Sequence, residues 1–266
     1  MKGSFFMNID FHTHGKLSKK SAFSLDYFRE MIAEAKHNDL DALALTEHFN
    51  TSNFYHLYET LDSTYPYNGH YYEAEGVKIF PGMEVDIAET GHILLIGRRE
   101  DVIAARTGLD EFTRKGHFIS FRELLDLADA HSLWKIGAHP FRDSTPLHHL
   151  DRELLLRLDA FDLNAKDMYK QGVGACRSKV EAFAASLGLP VVGGSDTHQC
   201  LQYGSVVNRL EQTCETAAEL KAAVAAGAYA VEVSPCLEIK VKSSVMMKKL
   251  LKQMIGEPLS REELIG

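Results

Sequence analysis

Cysteine and long apolar runs are scarce in this sequence. Its 266 residues include four cysteines and no C-x-x-C pair. These are too few for a disulfide scaffold in a chain of this length, so we expect reduced, structural thiols. No run of about 18 apolar residues is present, as a membrane-spanning helix would need, and residues 1–5 lack the apolar core of a signal peptide. Together these absences predict a soluble, cytoplasmic protein without a membrane partner.

An excess of positive charge is also missing. The chain has 29 basic and 37 acidic residues, a formal net charge of −8, which disfavours broad attraction to nucleic acid or to an anionic membrane. We therefore expect no extended nucleic-acid partner, although a local basic pocket is compatible with this balance.

Internal repeats, low-complexity tracts and Pro/Ser-rich linkers are absent from the sequence. Its length suits one barrel and also permits two domains. We predict a single barrel domain over residues 1–266.

Short apolar runs alternate with helical patterns along the chain. Ser24 can cap a helix over residues 25–38, and Ser120 can cap one from residue 121, with Glu123 at the capping-box position. Further helices are predicted over residues 151–158, 175–187, 216–226 and 243–255. This alternation is typical of parallel strands covered by helices, an α/β fold. We expect about seven or eight strands, with the chemistry at their carboxyl ends.

Two segments fit the alternation less well. Residues 50–76 are the least periodic and are rich in tyrosine, so we predict a long loop over the barrel mouth, with a role in function or in packing alone. Residues 239–266 contain several lysines. We predict that they form a C-terminal helical extension, a basic amphipathic helix packed on the barrel, with a partner surface as the alternative.

Metal-binding residue types stand at the ends of several apolar runs. His12 and His14 follow the first run, residues 5–11, and residues at this spacing project to the same side of a strand, roughly 6.6 Å apart. Two imidazoles so placed can share one ion. Four more runs end in the same way, in Glu47 and His48, in Glu84, in His139, and in Asp196 and His198. Five such endings that converge predict a multinuclear metal centre.

The order of these motifs resembles that of the polymerase and histidinol phosphatase (PHP) family. The resemblance covers roughly residues 8–233, and five motifs in one order are far more specific than a single H-x-H. The motifs are His12-Thr13-His14, Thr46-Glu47-His48, Pro81-Gly82-Met83-Glu84, Ala138-His139-Pro140 and Ser195-Asp196-Thr197-His198. The family implies a distorted (β/α)7 barrel, similar to a TIM barrel, with its active site at the C-terminal ends of the strands. It also implies two or three divalent ions and the hydrolysis of phosphate esters.

The resemblance further implies how eight ligands divide among three ions. The first ion would be held by His12, His14, Glu84 and Asp196, the second by Glu84, His92 and His139, and the third by His48 and His198. Imidazole and carboxylate donors together suit Zn²⁺, Mn²⁺ or Fe²⁺ better than Mg²⁺ or Ca²⁺. Residues 15–20 offer only lysines where the family usually has an acidic or histidine ligand. The third ion is therefore expected to bind weakly or to be absent.

Such a centre predicts hydrolysis by attack of a metal-bridging hydroxide. Coordination to divalent ions can lower the pKa of water to about 7, and the ions would neutralise charge that develops on the phosphate oxygens. The catalytic residues implied are Asp196, His198 and Glu47. The leaving alkoxide would be protonated or stabilised by His198, by His48 or by the third ion, with Glu47 as a further candidate for proton transfer.

Positively charged residues near the motifs are candidates for binding the substrate phosphate. Arg142 follows the fourth motif, and Arg177 opens a predicted helix; the guanidinium fork of arginine matches phosphate oxygens. Lys20 is a third candidate. Lys16 and Lys19 could also bind phosphate, and all three lysines could instead form a solvated cationic loop, which is the interpretation we prefer for Lys16 and Lys19.

Three functions are compatible with these features. The preferred one is a metal-dependent phosphomonoesterase that acts on a small phosphorylated metabolite, such as histidinol phosphate or a nucleotide. The second is an amidohydrolase-type C–N hydrolase, whose barrels also begin with H-x-H but typically have a carboxylated lysine or further histidine where this chain has Asn164. Asn164 either orients a water or ligand or caps the following turn. The third is a catalytically silent metal-binding or interaction module, which the retention of nearly every ligand disfavours.

Overall fold

Strands and helices alternate along residues 7–259, the part of the chain that this computed structural model describes. Among these described residues, strands β1 to β10 span Met7–Thr13, Ala42–Leu45, Tyr72–Ala74, Val77–Asp86, His92–Ile96, Trp134–Gly137, Ala160–Asn164, Val191–Gly194, Val206–Leu210 and Tyr229–Val233. In the same part of the chain, α-helices α1 to α9 span Leu25–His37, Phe54–Thr64, Arg99–Gly108, Phe121–Ala130, Arg152–Leu155, Ala165–Gln171, Val173–Leu187, Ala217–Ala225 and Leu237–Met254. Residues 5 and 6 of the predicted first strand and residues 260–266 of the predicted extension lie outside the described residues.

Seven of these strands form a nearly closed barrel, in the order β1, β2, β4, β5, β6, β7 and β8. The ring closes where the segment after β8 returns to β1. There the amide of Asp196 donates to the carbonyl of His12 over 2.7 Å, and the amide of His14 donates to the carbonyl of Thr197 over 3.0 Å. β9 and β10 form an antiparallel ribbon beside β1, and β3 pairs with β4. The predicted α/β fold, a distorted (β/α)7 barrel, is confirmed.

One barrel strand runs against the expected direction. β5 pairs antiparallel with both β4 and β6, whereas the other neighbouring strands of the barrel pair in parallel. The second half of β4 turns from β2 to β5, and Asp86 lies opposite His92 in the register. Because antiparallel neighbours bring the beginning of one strand beside the end of the other, β5 begins at the edge where β4 ends.

Apolar side chains fill the barrel below the ends of the strands. The rings of Phe11 and Trp134 meet edge to face, with their centroids 5.0 Å apart. The same buried cluster includes Met7 and Ala160, which begin their strands, and side chains of α8 such as Leu220. Helix α8 therefore covers the amino-terminal opening of the barrel, while a larger cluster packs the other helices on the outside. The carboxyl ends of the strands remain as the place for a site.

The helix caps follow the predicted residues. The side chain of Ser24 accepts a hydrogen bond from the amide of Tyr27 at the start of α1. Ser120 and Glu123 form both hydrogen bonds of a capping box at α4. These two predictions are confirmed, and α1 ends with Asn38 as its cap.

The prediction of a long loop over residues 50–76 is wrong, because α2 and β3 lie within this segment. Phe54, Leu57, Tyr58 and Leu61 are buried on one face of α2. Their spacing is that of an amphipathic helix. Polar and aromatic residues between these positions made the helical spacing hard to recognise in the sequence.

Helices α3 and α6 were not predicted, and the other helices differ from the predictions mainly in length. α9 begins at Leu237, earlier than the predicted start at residue 243. The helix predicted over residues 151–158 is shorter and spans Arg152–Leu155. Within residues 7–259, we find no helix with the length and apolar character that crossing a membrane requires.

Candidate metal centre

The eight predicted ligands meet at the carboxyl-terminal opening of the barrel. His12 lies near the end of β1, and His139 and Asp196 follow β6 and β8. All are buried except His92, which is half-buried; His48, the most exposed of the buried ligands, is 9% exposed. His92 joins the others although it begins a strand, because β5 runs antiparallel to β4.

The possible ligand atoms form three groups, and within each group all the atoms lie within 4.8 Å of one another. The groups are His12, His14 and Glu84; Glu84, His92 and His139; and His14, His48 and His198. Neighbouring groups share a residue, so the centre is continuous. Asp196 stands beside the first group, with its Oδ1 3.4 Å from Nε2 of His14. The predicted division of ligands among three ions is compatible with this geometry, and His14 additionally lies with His48 and His198.

Several donor atoms in these groups are buried without a hydrogen-bond partner. They include Nε2 of His12 and Nε2 of His14, whereas Nδ1 of His48 and Oε2 of Glu84 lie 2.7 Å apart. Leaving a buried polar atom without a partner costs about 1–3 kcal/mol, and a shared cation would remove that cost for both imidazole nitrogens. Mixed imidazole and carboxylate donors suit Zn²⁺, Mn²⁺ or Fe²⁺. The residues present therefore fit divalent transition-metal ions.

Carboxylates behind the ligands orient their rings. Oδ2 of Asp162 lies 2.9 Å from Nδ1 of His12, so the proton belongs on Nδ1 and Nε2 is left as the ligand atom. Oε1 of Glu47 lies 3.6 Å from Nδ1 of His14, and the Glu47 carboxylate also accepts hydrogen bonds from two backbone amides. Glu47 thus lies beside Nδ1 of His14 and the backbone of His48.

Burial and nearby charges set the protonation of the ligands. Burial lowers the pKa of His48 to about 3 and that of His139 to about 4, so both rings are neutral, as metal ligands must be. Burial also lowers the pKa of His198 well below its usual value, and the positive charge of Lys248 acts in the same direction. Burial raises the pKa of Glu84, but positive charge on His92 and His12 outweighs burial and holds that pKa well below its usual value. Burial lowers the pKa of these two histidines, but the nearby carboxylates outweigh it and raise the pKa of His92 to about 9 and that of His12 well above its usual value.

Two of the ligands have left-handed backbone conformations, with φ of 34° at His139 and 56° at Asp196. Such conformations cost a residue other than glycine about 1–3 kcal/mol and cluster at functional sites. The hydrogen bond from the Asp196 amide to β1 helps to hold that residue in place. The barrel therefore imposes the positions of both side chains.

The approach of β8 to the centre requires glycine. A Cβ atom at Gly194 would lie 2.5 Å from Cβ of His12 and 2.5 Å from Oδ1 of Asp162. Real Cβ atoms do not come so close to other heavy atoms. The absence of a side chain at this position lets His12 and Asp162 occupy the space between β1, β7 and β8.

A family model for the PHP domain matches residues 10–157, more than half of the chain. The chain belongs to the PHP domain family. The assignment made from the order of the motifs is confirmed, and with it the prediction of a hydrolase. A second model, for a PHP-associated region, matches residues 177–229, which include Asp196 and His198. Comparison with curated protein sequences gives no match.

Solved structures share this PHP fold. PsfC from Pseudomonas syringae has a TM-score of 0.78 at 24% identity, over 92% of this chain and 99% of that chain. The lesion-specific endonuclease PfuEndoQ from Pyrococcus furiosus has a TM-score of 0.65 at 21% identity, over 85% of this chain and 58% of that chain. A two-domain protein from Bacteroides vulgatus, containing a predicted PHP-like metal-dependent phosphoesterase, has a TM-score of 0.58 at 16% identity, over 88% and 66% of the two chains. At these identities the likeness shows the fold.

Of the three predicted phosphate-binding residues, the structure brings one to the PHP centre. Arg142 donates to Oδ2 of Asp196 over 2.9 Å. Arg177 instead donates to a backbone carbonyl of β10 and lines a separate surface cavity together with the first residue of β8. Lys20 is exposed on the loop that follows the first motif.

The interpretation of Lys16 as part of a solvated loop is wrong. Its side chain is 1% exposed, and its ammonium group donates to the hydroxyl of Thr51 and the carbonyl of Ser52, each over 2.7 Å. Lys19 is half-buried and pairs with Asp86 at 2.8 Å. These lysines connect the loop after β1 to the segment after β2 and to the end of β4. Such partners compensate the cost of burying an ammonium group.

Lys166 and Asp162 lie near the PHP ligands and were not predicted. Nζ of Lys166 donates to Oδ1 of Asp196 over 2.9 Å, and Asp162 contacts His12. Asp162 and Asn164 stand at i and i+2 near the end of β7, a repeat of the H-x-H spacing that could have identified Asp162. Lys166 lies in helix α6, where no strand-end signal exists. Asn164 caps α6 by accepting from the Lys166 amide and also donates to Asp162 over 3.0 Å, so both roles considered for it are compatible with its contacts.

Proposed function

We propose that this PHP domain is a metal-dependent phosphoesterase, and specifically a phosphomonoesterase of a small metabolite such as histidinol phosphate or a nucleotide. The observation that supports this best is the run of three ligand groups that share His14 and Glu84, with Arg142 and Lys166 fixed beside them on Asp196. Several cation sites thus lie next to two positively charged side chains. Such a site favours the binding of a reacting group that has several anionic oxygens. Phosphate is such a group.

Two or three divalent ions, Zn²⁺, Mn²⁺ or Fe²⁺, would be held by the three ligand groups together with Asp196. When bound, such ions supply a more acidic water and neutralise charge on phosphoryl oxygens. Asp162 and Glu47 would keep the rings of His12 and His14 in place, since partners behind a ligand set its orientation. In this proposal Glu47 is a positioning residue.

Arg142 and Lys166 would position the phosphate. Asp167 also binds Arg142 at 2.8 Å, so the guanidinium group is held from two sides. A phosphate beside Asp196 would come within reach of both cations without a large movement of the arginine. Pre-positioned charges of this kind lower the barrier because they need little reorganisation during the reaction.

His198 would act as a neutral ligand more readily than as a proton donor. Its pKa lies well below the usual value because of burial, and its Nδ1 lies 3.2 Å from the Asp196 carbonyl oxygen. The ring therefore presents Nε2 toward the third group. Asp196 and His198 remain proposed as essential to catalysis through the ions that they would hold.

A second candidate substrate is a phosphodiester in nucleic acid. It is favoured by the fold shared with PfuEndoQ and by a structure of Endonuclease Q with a 27-mer duplex that has an abasic lesion at the active site. The net charge of −8 and a cavity of about 530 Å³ beside the centre favour the small substrate instead, because duplex binding relies on neutralising many phosphates. C–N hydrolysis has less support, since Asn164 ends β7 where a ligand lysine would be expected.

Purified protein loaded with Mn²⁺ would separate these possibilities. We expect turnover of p-nitrophenyl phosphate, loss of that turnover with EDTA, and recovery when Mn²⁺, Zn²⁺ or Fe²⁺ is returned. Faster cleavage of bis(p-nitrophenyl) phosphate or of an abasic duplex would favour the second candidate. Cleavage of an amide alone would support a C–N hydrolase, and stoichiometric metal without any turnover would indicate a silent module.

A further inference from the structure

A cavity beside the metal ligands has two walls outside the stretches that the family models match. The cavity has a volume of about 530 Å³ and lies between the loop after β6, helix α6 and helix α9. α6 spans Ala165–Gln171 and α9 spans Leu237–Met254, whereas the matched stretches are residues 10–157 and 177–229. His92 of the second ligand group also lines the cavity, so α9 faces the same space as the centre.

The wall of this cavity is strongly basic. Its lining contains one carboxylate and six cationic side chains: Asp167 against Arg142, Lys166, Lys170, Lys242, Lys248 and Lys249. Arg142 and Lys166 are bound to carboxylates next to the centre. Within residues 7–259, neither Lys242 nor Lys249 forms an ion pair with a carboxylate. Like charges gathered in one wall attract an anion to it.

The spacing on α9 allows two lysines to act together. Lys242 and Lys249 are two helical turns apart and lie on one face, about 10 Å from each other along the axis. Lys242 is exposed and Lys249 half-buried. Because each ammonium group stands on a flexible four-carbon stem, both can reach one anion between them.

The basic residues of this wall have apolar neighbours. Val241 is buried, Val245 is half-buried and Met246 is 57% exposed; all three line the cavity, as does Tyr169 from α6. Arg142 and Lys166 provide positive charge next to the metal ligands, and α9 provides it on another wall. Apolar surface with a few convergent polar groups is typical of sites for small organic ligands. In this cavity, the arrangement of charge and apolar surface suits a small organic ligand with an anionic group at each end.

We propose that α9 forms a second anion subsite, and that the substrate is a small organic molecule with two phosphate groups. One phosphate is hydrolysed at the metal centre, and the other is bound by Lys242 and Lys249. This inference rests on the proposed function, because it names the substrate class of the same site. The cavity volume falls within the range of small-molecule sites, about 300–1,000 Å³, which favours a free bisphosphate over a duplex.

Matched substrates test the subsite in the 266-residue chain loaded with Mn²⁺. Glucose 1,6-bisphosphate and glucose 6-phosphate differ by the second phosphate, and the double variant Lys242→Met/Lys249→Met removes both charges while it keeps the apolar stems. We expect the wild type to prefer the bisphosphate in kcat/KM by about five- to tenfold, and the methionine variant to lose most of that preference.

Two control proteins accompany the methionine variant. Lys242→Arg/Lys249→Arg retains both charges and should retain the preference. Lys221→Met removes a lysine of α8 that pairs with Asp159 at 2.9 Å, away from the cavity, and should also retain it. An unchanged preference in the methionine variant would overturn the subsite, as would an equal loss of kcat/KM with both sugars. Faster cleavage of an abasic duplex than of either sugar would overturn the small-substrate assignment.

A binding measurement separates failure of the subsite from failure of the proposed function. Calorimetry with inorganic pyrophosphate and orthophosphate needs no turnover. If no phosphate ester is hydrolysed, the proposed function fails, yet tighter binding of pyrophosphate that is lost in the methionine variant still supports the subsite. Equal binding of pyrophosphate by the wild type and the methionine variant overturns the subsite, whatever the activity.

Discussion

Oδ2 of Asp162 lies 2.9 Å from Nδ1 of His12, and Nε2 of the same ring lies 3.5 Å from Oε1 of Glu84. The imidazole is thus held from behind by one carboxylate and faces another across the centre. Both carboxylates and the ring are at most 2% exposed. In buried surroundings a hydrogen bond to a carboxylate fixes both the tautomer and the orientation of a ligating histidine.

Replacing Asp162 with asparagine should weaken metal binding without removing a ligand. The amide can occupy the same space, but it loses the negative charge that makes His12 a better donor, so we expect affinity to fall by about 10–100-fold. Titration with Zn²⁺ or Mn²⁺ against a competing chelator measures this effect. Asp26→Asn, on the exposed surface of α1, is the matched control and should bind metal like the wild type. Equal affinity in both variants would contradict the role assigned to Asp162.

Loss of a direct ligand should have a larger effect. We expect Asp196→Asn and His139→Ala to lower hydrolysis by about 10²–10³-fold or more, because each removes a donor from the centre. The fold should persist, since the barrel closes through backbone hydrogen bonds and its interior is apolar. Steady-state kinetics together with circular dichroism would check both statements. Retained turnover in both variants would remove these residues from the proposed site.

The position of a residue at the end of a strand was sufficient to find most of the candidate ligands. Parallel strands of a barrel end at one opening, so His12, Glu84 and His139 could be placed together from local sequence. His92 followed from family resemblance instead. Its position depends on the antiparallel pairing of β5 with β4, which is a long-range choice that local periodicity does not encode.

The cations around the centre were harder to predict. Arg142 and Arg177 both stand near predicted site segments, yet only Arg142 reaches Asp196. Lys166 reaches it from α6. Long flexible side chains take their partners from the tertiary structure, so sequence spacing alone does not separate these residues. For the same reason the sequence did not show that Lys16 is buried.

Introducing a side chain at Gly194 should damage both the fold and the centre. In Gly194→Ala the new Cβ would lie 2.5 Å from atoms of His12 and Asp162, and such overpacking typically costs about 1–3 kcal/mol. We expect lower stability in urea unfolding and weaker metal binding from the same variant. Gly174→Ala is the matched control, because a Cβ there meets nothing within 4 Å in helix α7. The control should be neutral or slightly more stable, as alanine favours helices over glycine.

Asp10 predicts a pH dependence of stability in the metal-free protein. Its carboxylate accepts hydrogen bonds from the amides of His12 and Ser195 at 3.1 and 3.0 Å. Burial outweighs these bonds and raises its pKa from 3.8 to about 7. An acid with a raised pKa in the folded state binds its proton more tightly there than in the unfolded chain. Its contribution to stability is therefore complete below pH 3.8 and is lost as the pH rises to about 7.

Asp10→Asn cannot ionise, and its side-chain oxygen can still accept both backbone hydrogen bonds. The free energy of unfolding of the variant should therefore rise relative to that of the wild type as the pH increases between about 4 and 7, by up to about 1.4 kcal/mol per pH unit. Above that range the difference should be constant. Urea unfolding in the presence of EDTA, repeated across this pH range, measures the difference directly. A difference that does not change with pH would show that Asp10 is already ionised in the folded barrel, because only a proton held by the native state produces the slope.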